Sequence, residues 1–128
     1  MDQMLMAGTI LLTALQAGAP FDTGNLAING IAMKSDGSEI YIGGENAPYA
    51  IFTEYPWDNF GGNLEGKQNP NEGWIERVIE NAKPMLVQAL SGQITQQDLS
   101  RLLEPYQTDI QKRAEHLAEV MRRRAAAI

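Results

Sequence analysis

The sequence contains no cysteine and a single histidine, His116, among its 128 residues. The lack of cysteine excludes disulfides, thiolate metal sites and a cysteine nucleophile. One histidine excludes a histidine-rich zinc site, and we expect His116 to be an exposed helical residue rather than a catalytic base. No uninterrupted apolar stretch reaches the ~20 residues that a membrane span requires. Because the first residues carry no basic segment, we expect no secretory signal.

Basic charge is scarce and lies mostly at one end of the chain. The formal net charge is −6, with 10 lysines and arginines against 16 acidic residues. Residues 1–100 hold 4 of the basic and 12 of the acidic residues, whereas residues 101–128 hold 6 and 4. An acidic body is not expected to bind nucleic acid as a whole. Arg122, Arg123 and Arg124 either complement the negative end of the last helix or contact an acidic partner or a phosphate backbone.

The first half of the chain predicts one helix and a hairpin. Residues 2–17 are predicted to be helical, with one apolar face. That face consists of Met4, Leu5, Leu11, Leu12 and Leu15. Residues 26–34 and 39–43 are predicted to be strands, because Ser35-Asp36-Gly37-Ser38 between them suits a tight reversing turn. The alternation of apolar residues slips near Gly30, which indicates a bulge or close packing.

The middle of the chain is harder to interpret. Residues 47–56 are compatible with either a short helix or a strand, and residues 57–73 form a long polar loop that contains Trp57 and Phe60. Aromatic residues on such a loop either anchor it to the core or contribute to an interface. For Trp74, which follows the loop, we favour a place in the core.

The second half of the chain predicts three helices. The first covers residues 74–91, and Pro84 is expected to kink or split it. Thr95 and Asp98 resemble a capping box that begins the second helix. Pro105 is expected to interrupt it, so that the last helix runs from about residue 105 to 126. Its apolar stripe, typical of a helix that docks on one neighbour or of a coiled coil, consists of Ile110, Ala114, Leu117 and Met121.

These elements predict an α+β fold. We expect a small antiparallel sheet packed against the N-terminal helix and the helix that begins at Trp74. This domain would cover residues 1–92, and residues 93–128 would form a C-terminal helical extension.

One tripeptide suggests an enzyme. Asp22-Thr23-Gly24 matches the sequence that retroviral-type aspartic proteases contribute from each half of a dimer, where two aspartates share a proton. The residues before it follow a helix rather than an apolar strand, so we favour a turn built by Asp22 and Thr23. No spacing rule brings Glu45, Glu54 and Asp58 together as a metal or acid–base site. We therefore expect no catalytic residue, cofactor or metal.

Two segments together resemble a known family. The chain is similar, over about residues 5–91, to the tail-completion or head–tail joining proteins of long-tailed bacteriophages, a group that includes minor capsid and neck proteins. The first segment follows the leading helix and matches at Pro20, Thr23, Gly24 and Leu26. The second follows the second strand and matches at Pro48, Tyr49, Ala50 and Glu54. The chain departs from the pattern after Glu54, where Pro56 and Trp57 replace Gly-Thr.

The resemblance implies a structural and non-enzymatic role in the virion. Family members lie in the neck as a ring, by resemblance a hexamer, and join the connector to the tail tube. Their partners are other neck and tail proteins, they contact DNA only as it passes through the channel, and no membrane is involved. Assembly would take place in the host cytoplasm. The residues that we expect at interfaces are Tyr49, Phe52, Trp57, Phe60, Ile110, Leu117 and Met121.

Other readings stay open. Within the virion, the chain would otherwise be a different connector or a tail-terminator protein. Outside it, the alternatives are the dimeric aspartic protease that uses Asp22 and a helical adaptor that binds its partner through residues 93–128.

Overall fold

A computed structural model describes residues 1–20 and 24–126 of the chain. These residues form five α-helices and a pair of antiparallel strands, which is the predicted α+β class. In chain order the elements are α1 (Gln3–Gly18), α2 (Asn25–Asn29), β1 (Ile31–Met33), β2 (Ile40–Ile42), α3 (Ile51–Glu54), α4 (Trp74–Leu90) and α5 (Gln96–Ala126). None of these helices is long and apolar enough to cross a membrane.

Helix α1 lies at the centre of the fold. Its N-terminus is capped by Asp2, whose Oδ1 accepts a hydrogen bond of 2.7 Å from the backbone N–H of Leu5. The helix packs against α4, α5, α2 and β1. Its buried residues are therefore spread around most of its circumference. Met6 and Ile10 are buried although they lie off the predicted apolar face, whereas Met4 on that face is half exposed.

The hairpin forms as predicted. Strand β1 pairs with β2 in antiparallel register, with Ala32 opposite Tyr41, and Gly37 in the connecting turn has a φ of +80°. This turn lies directly on α1, since a Cβ added to Gly8 would stand 2.4 Å from the carbonyl oxygen of Gly37. Glycine at both positions therefore allows the two backbones to touch.

The start of the first predicted strand is wrong. Residues 25–29 form the short helix α2, which begins after Gly24 and ends at Gly30. Leu26 and Ala27 are adjacent and both buried, which a helix allows but the alternation of a strand with one buried face does not. The slip in apolar alternation therefore marks the change from helix to strand. The close packing expected at Gly30 is present, since a Cβ there would stand 2.7 Å from the Cβ of Ala47.

Two prolines lie inside helices without ending them. Helix α4 continues through Pro84, and α5 continues through Pro105, so the predicted interruption at Pro105 is wrong. Both prolines are exposed, and Leu103, two residues before Pro105, is buried in the core. Proline inside a helix removes a backbone hydrogen bond and clashes with the preceding turn, at a cost of ~3 kcal/mol. Burial of apolar side chains such as Leu103 offsets this cost in α5.

The capping box at the start of α5 is confirmed. The backbone N–H of Asp98 donates to Thr95 Oγ1 at 3.2 Å, and that of Thr95 donates to Asp98 Oδ2 at 3.1 Å. Each side chain thus satisfies a backbone donor that the helix leaves unpaired.

The buried residues form two clusters. The helical cluster joins α1, the end of α4 and the first turns of α5, and consists of Met6, Ala7, Ile10, Ala89, Ile94, Leu99 and Leu103. The Trp74 cluster joins α1, α2, the hairpin and the start of α4, and consists of Leu15, Ala19, Leu26, Ala27, Ile31, Ala47, Ala50 and Trp74. Residues 94–103 share a core with α1, and the domain boundary at residue 92 stays a prediction.

Candidate interaction surface at residues 49–60

The segment that was ambiguous in sequence is helical. A 3-10 turn covers Pro48–Ala50 and continues directly into α3, and Pro48 takes the first helical position, where its fixed φ is favourable. Ala50 is buried, and most of its large apolar neighbours point outward. Their exposed fractions are 41% for Tyr49, 51% for Ile51, 40% for Phe52 and 50% for Tyr55. We refer to the side chains of residues 49–60 as the 49–60 surface.

Three of the predicted interface aromatics lie together. The ring centroids of Phe52 and Phe60 are 4.5 Å apart, with the rings tilted by 59°, a geometry that aromatic pairs favour. The indole N–H of Trp57 donates to the carbonyl oxygen of Phe52 at 2.7 Å. Trp57 and Phe60 are half-buried. Trp57 lies in neither core cluster, whereas Trp74 is only 3% exposed, as predicted.

The side chain of Asn69 binds the backbone of the 49–60 surface. It is one of the few buried polar residues, and its Nδ2 lies 3.2, 3.0 and 2.9 Å from the carbonyl oxygens of Phe52, Thr53 and Tyr55. Its Oδ1 accepts from the backbone N–H of Asn71 at 2.9 Å. The carbonyls at the end of a helix lack partners within the helix, and here the amide of Asn69 together with the indole of Trp57 supplies donors to them.

No local pattern indicates this role of Asn69. Its neighbours, Asn-Pro-Asn, indicate only a turn. The carbonyls that it binds are 14 to 17 residues away in the sequence. Turn and helix patterns extend over only a few residues and do not indicate such contacts.

Glu54, a residue of the family-like segment, caps α4. Its Oε2 accepts from the backbone N–H of Ile75 at 2.9 Å, and its carbonyl oxygen accepts from Gly73 N–H at 2.8 Å. The residue before α4 is Gly73, which has no side chain to cap the helix. A carboxylate is favourable at this position because the helix N-terminus carries a partial positive charge. Next to it, Trp74 Nε1 donates to Thr53 Oγ1 at 2.8 Å.

The two family-like segments meet in the fold. Asn25 Nδ2 donates to the carbonyl oxygen of Asn46 at 2.9 Å and to the hydroxyl of Tyr49 at 3.0 Å. Gly24 has a φ of +88°, and a Cβ there would stand 2.4 Å from the carbonyl oxygen of Arg113. Leu26 is buried in the Trp74 cluster.

The rest of the first segment is only partly visible. Pro20 is half-buried. Asp22 and Thr23 lie outside the described residues, so neither the turn predicted there nor the alternative of a protease is tested.

The other predicted interface residues, Ile110, Leu117 and Met121, lie on α5. Ile110 and Leu117 are half-buried, and Met121 is 60% exposed. The start of α2 lies against this part of α5, since a Cβ added to Gly24 would stand 3.3 Å from the Cβ of Leu117. The Arg113 guanidinium donates to the carbonyl oxygen of Ala19 at 3.0 and 3.2 Å, and partial burial lowers its pKa. Part of the stripe is thus covered by the chain's own α2.

Two further sequence expectations concern charged or titratable groups on α5. His116 is half-buried rather than exposed. Arg122 and Arg123 pair with Glu119 at 2.6 and 3.1 Å, and the hydrogen bond from Arg122 is the main reason that the pKa of Glu119 is lowered. Within residues 1–20 and 24–126, no three His, Asp or Glu side chains are grouped as metal ligands.

The comparisons with known proteins add no relative. No family model matches the chain, and no curated protein or solved structure is similar enough to it to count as a match. The resemblance to phage tail-completion proteins therefore rests on the two segments described above.

Proposed function

We propose that this protein is a structural component of a phage or prophage particle, located at the head–tail junction. There it assembles as a ring and joins the connector to the tail tube. The observation that carries the proposal is the contact between Asn25 and Tyr49, which links the two family-like segments. The second segment then presents the apolar 49–60 surface.

The chemistry of this surface supports a docking role. Tyr and Trp are enriched among the residues that dominate binding energies, and truncating such a residue commonly weakens binding by ~2 kcal/mol or more, about 30-fold in affinity. The hydrogen bonds of Asn69 and Glu54 fix the backbone beneath the aromatics. A surface that is ordered before it binds loses less conformational entropy on docking.

The charge of the chain supports a place beside a DNA channel. With 12 acidic and 4 basic residues, residues 1–100 repel a phosphate backbone at neutral pH. DNA that moves through a ring of such subunits is not retained by nonspecific contacts, whose strength depends on neutralised phosphates.

The test is immunogold electron microscopy of particles from a producing culture, with an antibody against this protein. We expect label at the head–tail junction. Label at the distal tail tip would overturn the junction assignment, and absence from particles, checked by mass spectrometry of the same sample, would overturn the virion role altogether.

A pair of variants tests the surface itself. In a culture that lacks the native gene, Phe52→Ser supplied in trans is expected to leave heads and tails unjoined. Tyr41→Ser is the matched control, because Tyr41 is an exposed aromatic on β2, outside the 49–60 surface. Equal numbers of joined particles with both variants would contradict a docking role for Phe52.

A further inference from the structure

An apolar groove runs along α1 between the hairpin and α4. It has a volume of about 440 Å³. Helix α1 contributes Met4 and Leu11, β2 contributes Ile40 and Ile42, and α4 contributes Ile79 and Leu90, among others. Met4, Ile79 and Leu90 are 49%, 38% and 48% exposed. A continuous apolar concavity of this kind is unusual on a surface that faces only water.

The rim of the groove is acidic at the end where Met4 lies. Glu39 is one of the lining residues. Asp2 and Asp36 line an adjoining concavity that shares Met4 with the groove. An occupant with apolar side chains and positive charge complements both the walls and the rim.

The end of α5 has this chemistry. We call residues 118–126 the arm. Its last six residues are all exposed, and Met121 is its large exposed apolar side chain. Arg122, Arg123 and Arg124 stand against one acidic residue, Glu119, so the arm carries a net charge of +2. It is the region of the chain where basic charge is concentrated.

The groove and the arm belong to different sides of the molecule. Helix α5 packs on the side of α1 that carries Met6 and Ile10, whereas Met4, Gly8 and Leu11 of α1 line the groove. Successive residues of a helix are turned by about 100°, which separates these two faces of α1. The groove of a molecule can therefore be occupied while its own arm binds elsewhere.

We infer that the groove receives the arm of a second copy of this chain, with Met121 as the apolar anchor and the three arginines against the acidic rim. Methionine adapts its shape to irregular apolar cavities. A symmetric contact between two grooves would instead bring two acidic rims together. The inference rests on the proposed function, because a ring of identical subunits is built from two different surfaces that join head to tail. The groove and the arm would be these two surfaces.

The test uses the purified full chain and two variants in sedimentation velocity at low salt. Met121→Ser/Arg124→Glu alters the arm, and Leu90→Arg adds positive charge at the groove, at a helix C-terminus where a cation is tolerated. We expect the native chain to associate with rising concentration. We expect each variant alone to associate at least tenfold more weakly and an equimolar mixture to form dimers and nothing larger, because one intact arm meets one intact groove.

Controls separate this contact from general effects of charge or folding. Arg101→Glu changes an exposed arginine of α5 outside the arm and is expected to associate like the native chain. Far-ultraviolet circular dichroism should be the same for all variants, and association of the native chain should weaken at high salt. A native chain that stays monomeric, variants that associate normally, or a mixture that stays monomeric would each overturn the inference.

The inference and the proposed function fail in different experiments. Junction label together with undiminished association of the arm variant would remove only the arm contact. Dimers from the mixture, with no label on particles, would remove only the junction assignment.

Discussion

The two core clusters hold their elements together by different means. The helical cluster is an apolar contact among α1, α4 and α5, built from residues such as Ile10 and Leu103. At the other end, hydrogen bonds border the Trp74 cluster: Trp74 and Asn69 donate to the segment around Thr53, and Glu54 of that segment accepts from the backbone N–H of Ile75. Long helices satisfy their own backbone groups, whereas short turns need side chains to do so.

This difference explains where the exposed aromatics lie. In the helical cluster, each large apolar side chain stabilises the fold through its burial. Around residues 49–60 the backbone is fixed by polar side chains, so that Phe52 and Tyr55 are not needed in the core and remain half exposed. The irregular end of the molecule is thus the end with aromatic side chains available for a partner.

The largest effect is expected from Trp74→Ala. The change removes a buried indole and its bond to Thr53, and such truncations cost ~3–5 kcal/mol. Ile10→Ala, the counterpart in the helical cluster, is expected to cost ~2–5 kcal/mol. Urea unfolding measures both, and Trp74→Phe separates bulk from hydrogen bonding. If Trp74→Phe is as damaging as Trp74→Ala, the indole N–H matters more than the buried area.

A smaller and more local effect is expected from Asn69→Ala. The carbonyl oxygens of Thr53 and Tyr55 lose their side-chain donor, whereas that of Phe52 keeps Trp57, and a buried polar group without a partner costs ~1–3 kcal/mol. Hydrogen exchange should rise in residues 52–60 and stay unchanged in the first turns of α5. Uniformly faster exchange in both regions would contradict the separation of the two ends.

Glu54→Ala removes the remote cap of α4. Loss of a capping side chain costs ~0.5–2 kcal/mol, so the expected decrease in the free energy of unfolding is below that for Trp74→Ala. Glu76→Ala is the control, since Glu76 also lies in the first turn of α4 but is exposed. Equal losses for the two variants would show that general charge near the helix, rather than the bond to Ile75, is responsible.

The smallest effect concerns pH and the capping box of the helical end. Hydrogen bonds from the backbone N–H and the hydroxyl of Thr95 lower the pKa of Asp98. A carboxylate with a lowered folded-state pKa stabilises the fold above its unfolded pKa, and this contribution is lost as the pH falls through the folded pKa. The difference in stability between the native chain and Asp98→Asn should therefore be present at pH 7 and shrink below about pH 4. A difference that is constant between pH 7 and pH 3 would contradict this role.

The sequence predicted what local chemistry controls. Helical periodicity located α1 and α4, Asp-Gly located the hairpin turn, and Thr95 with Asp98 located the start of α5. It also selected the aromatics that the structure places side by side. The unbroken α5 was missed because the cost of Pro105 is outweighed by packing that no local pattern reveals.

The support of the 49–60 surface could not be predicted in the same way. Residues 26–29 were assigned to a strand, because a helix of one turn is too short to show a period. Asn69 and Glu54 act on backbone groups that are distant in the chain, so that their roles are visible only in the folded molecule.

The central position of α1 has a consequence for biosynthesis. Ile10 leaves the ribosome early but is covered by Leu103, which is made long after it. At ~5–20 residues per second, the intervening synthesis takes on the order of 5–20 s. During that time α1 exposes apolar surface on several sides, a state in which chaperones bind and unfinished chains aggregate. A chain whose synthesis ends before α5 therefore has an incomplete core, and the yield of folded protein should depend on how quickly translation reaches Leu103.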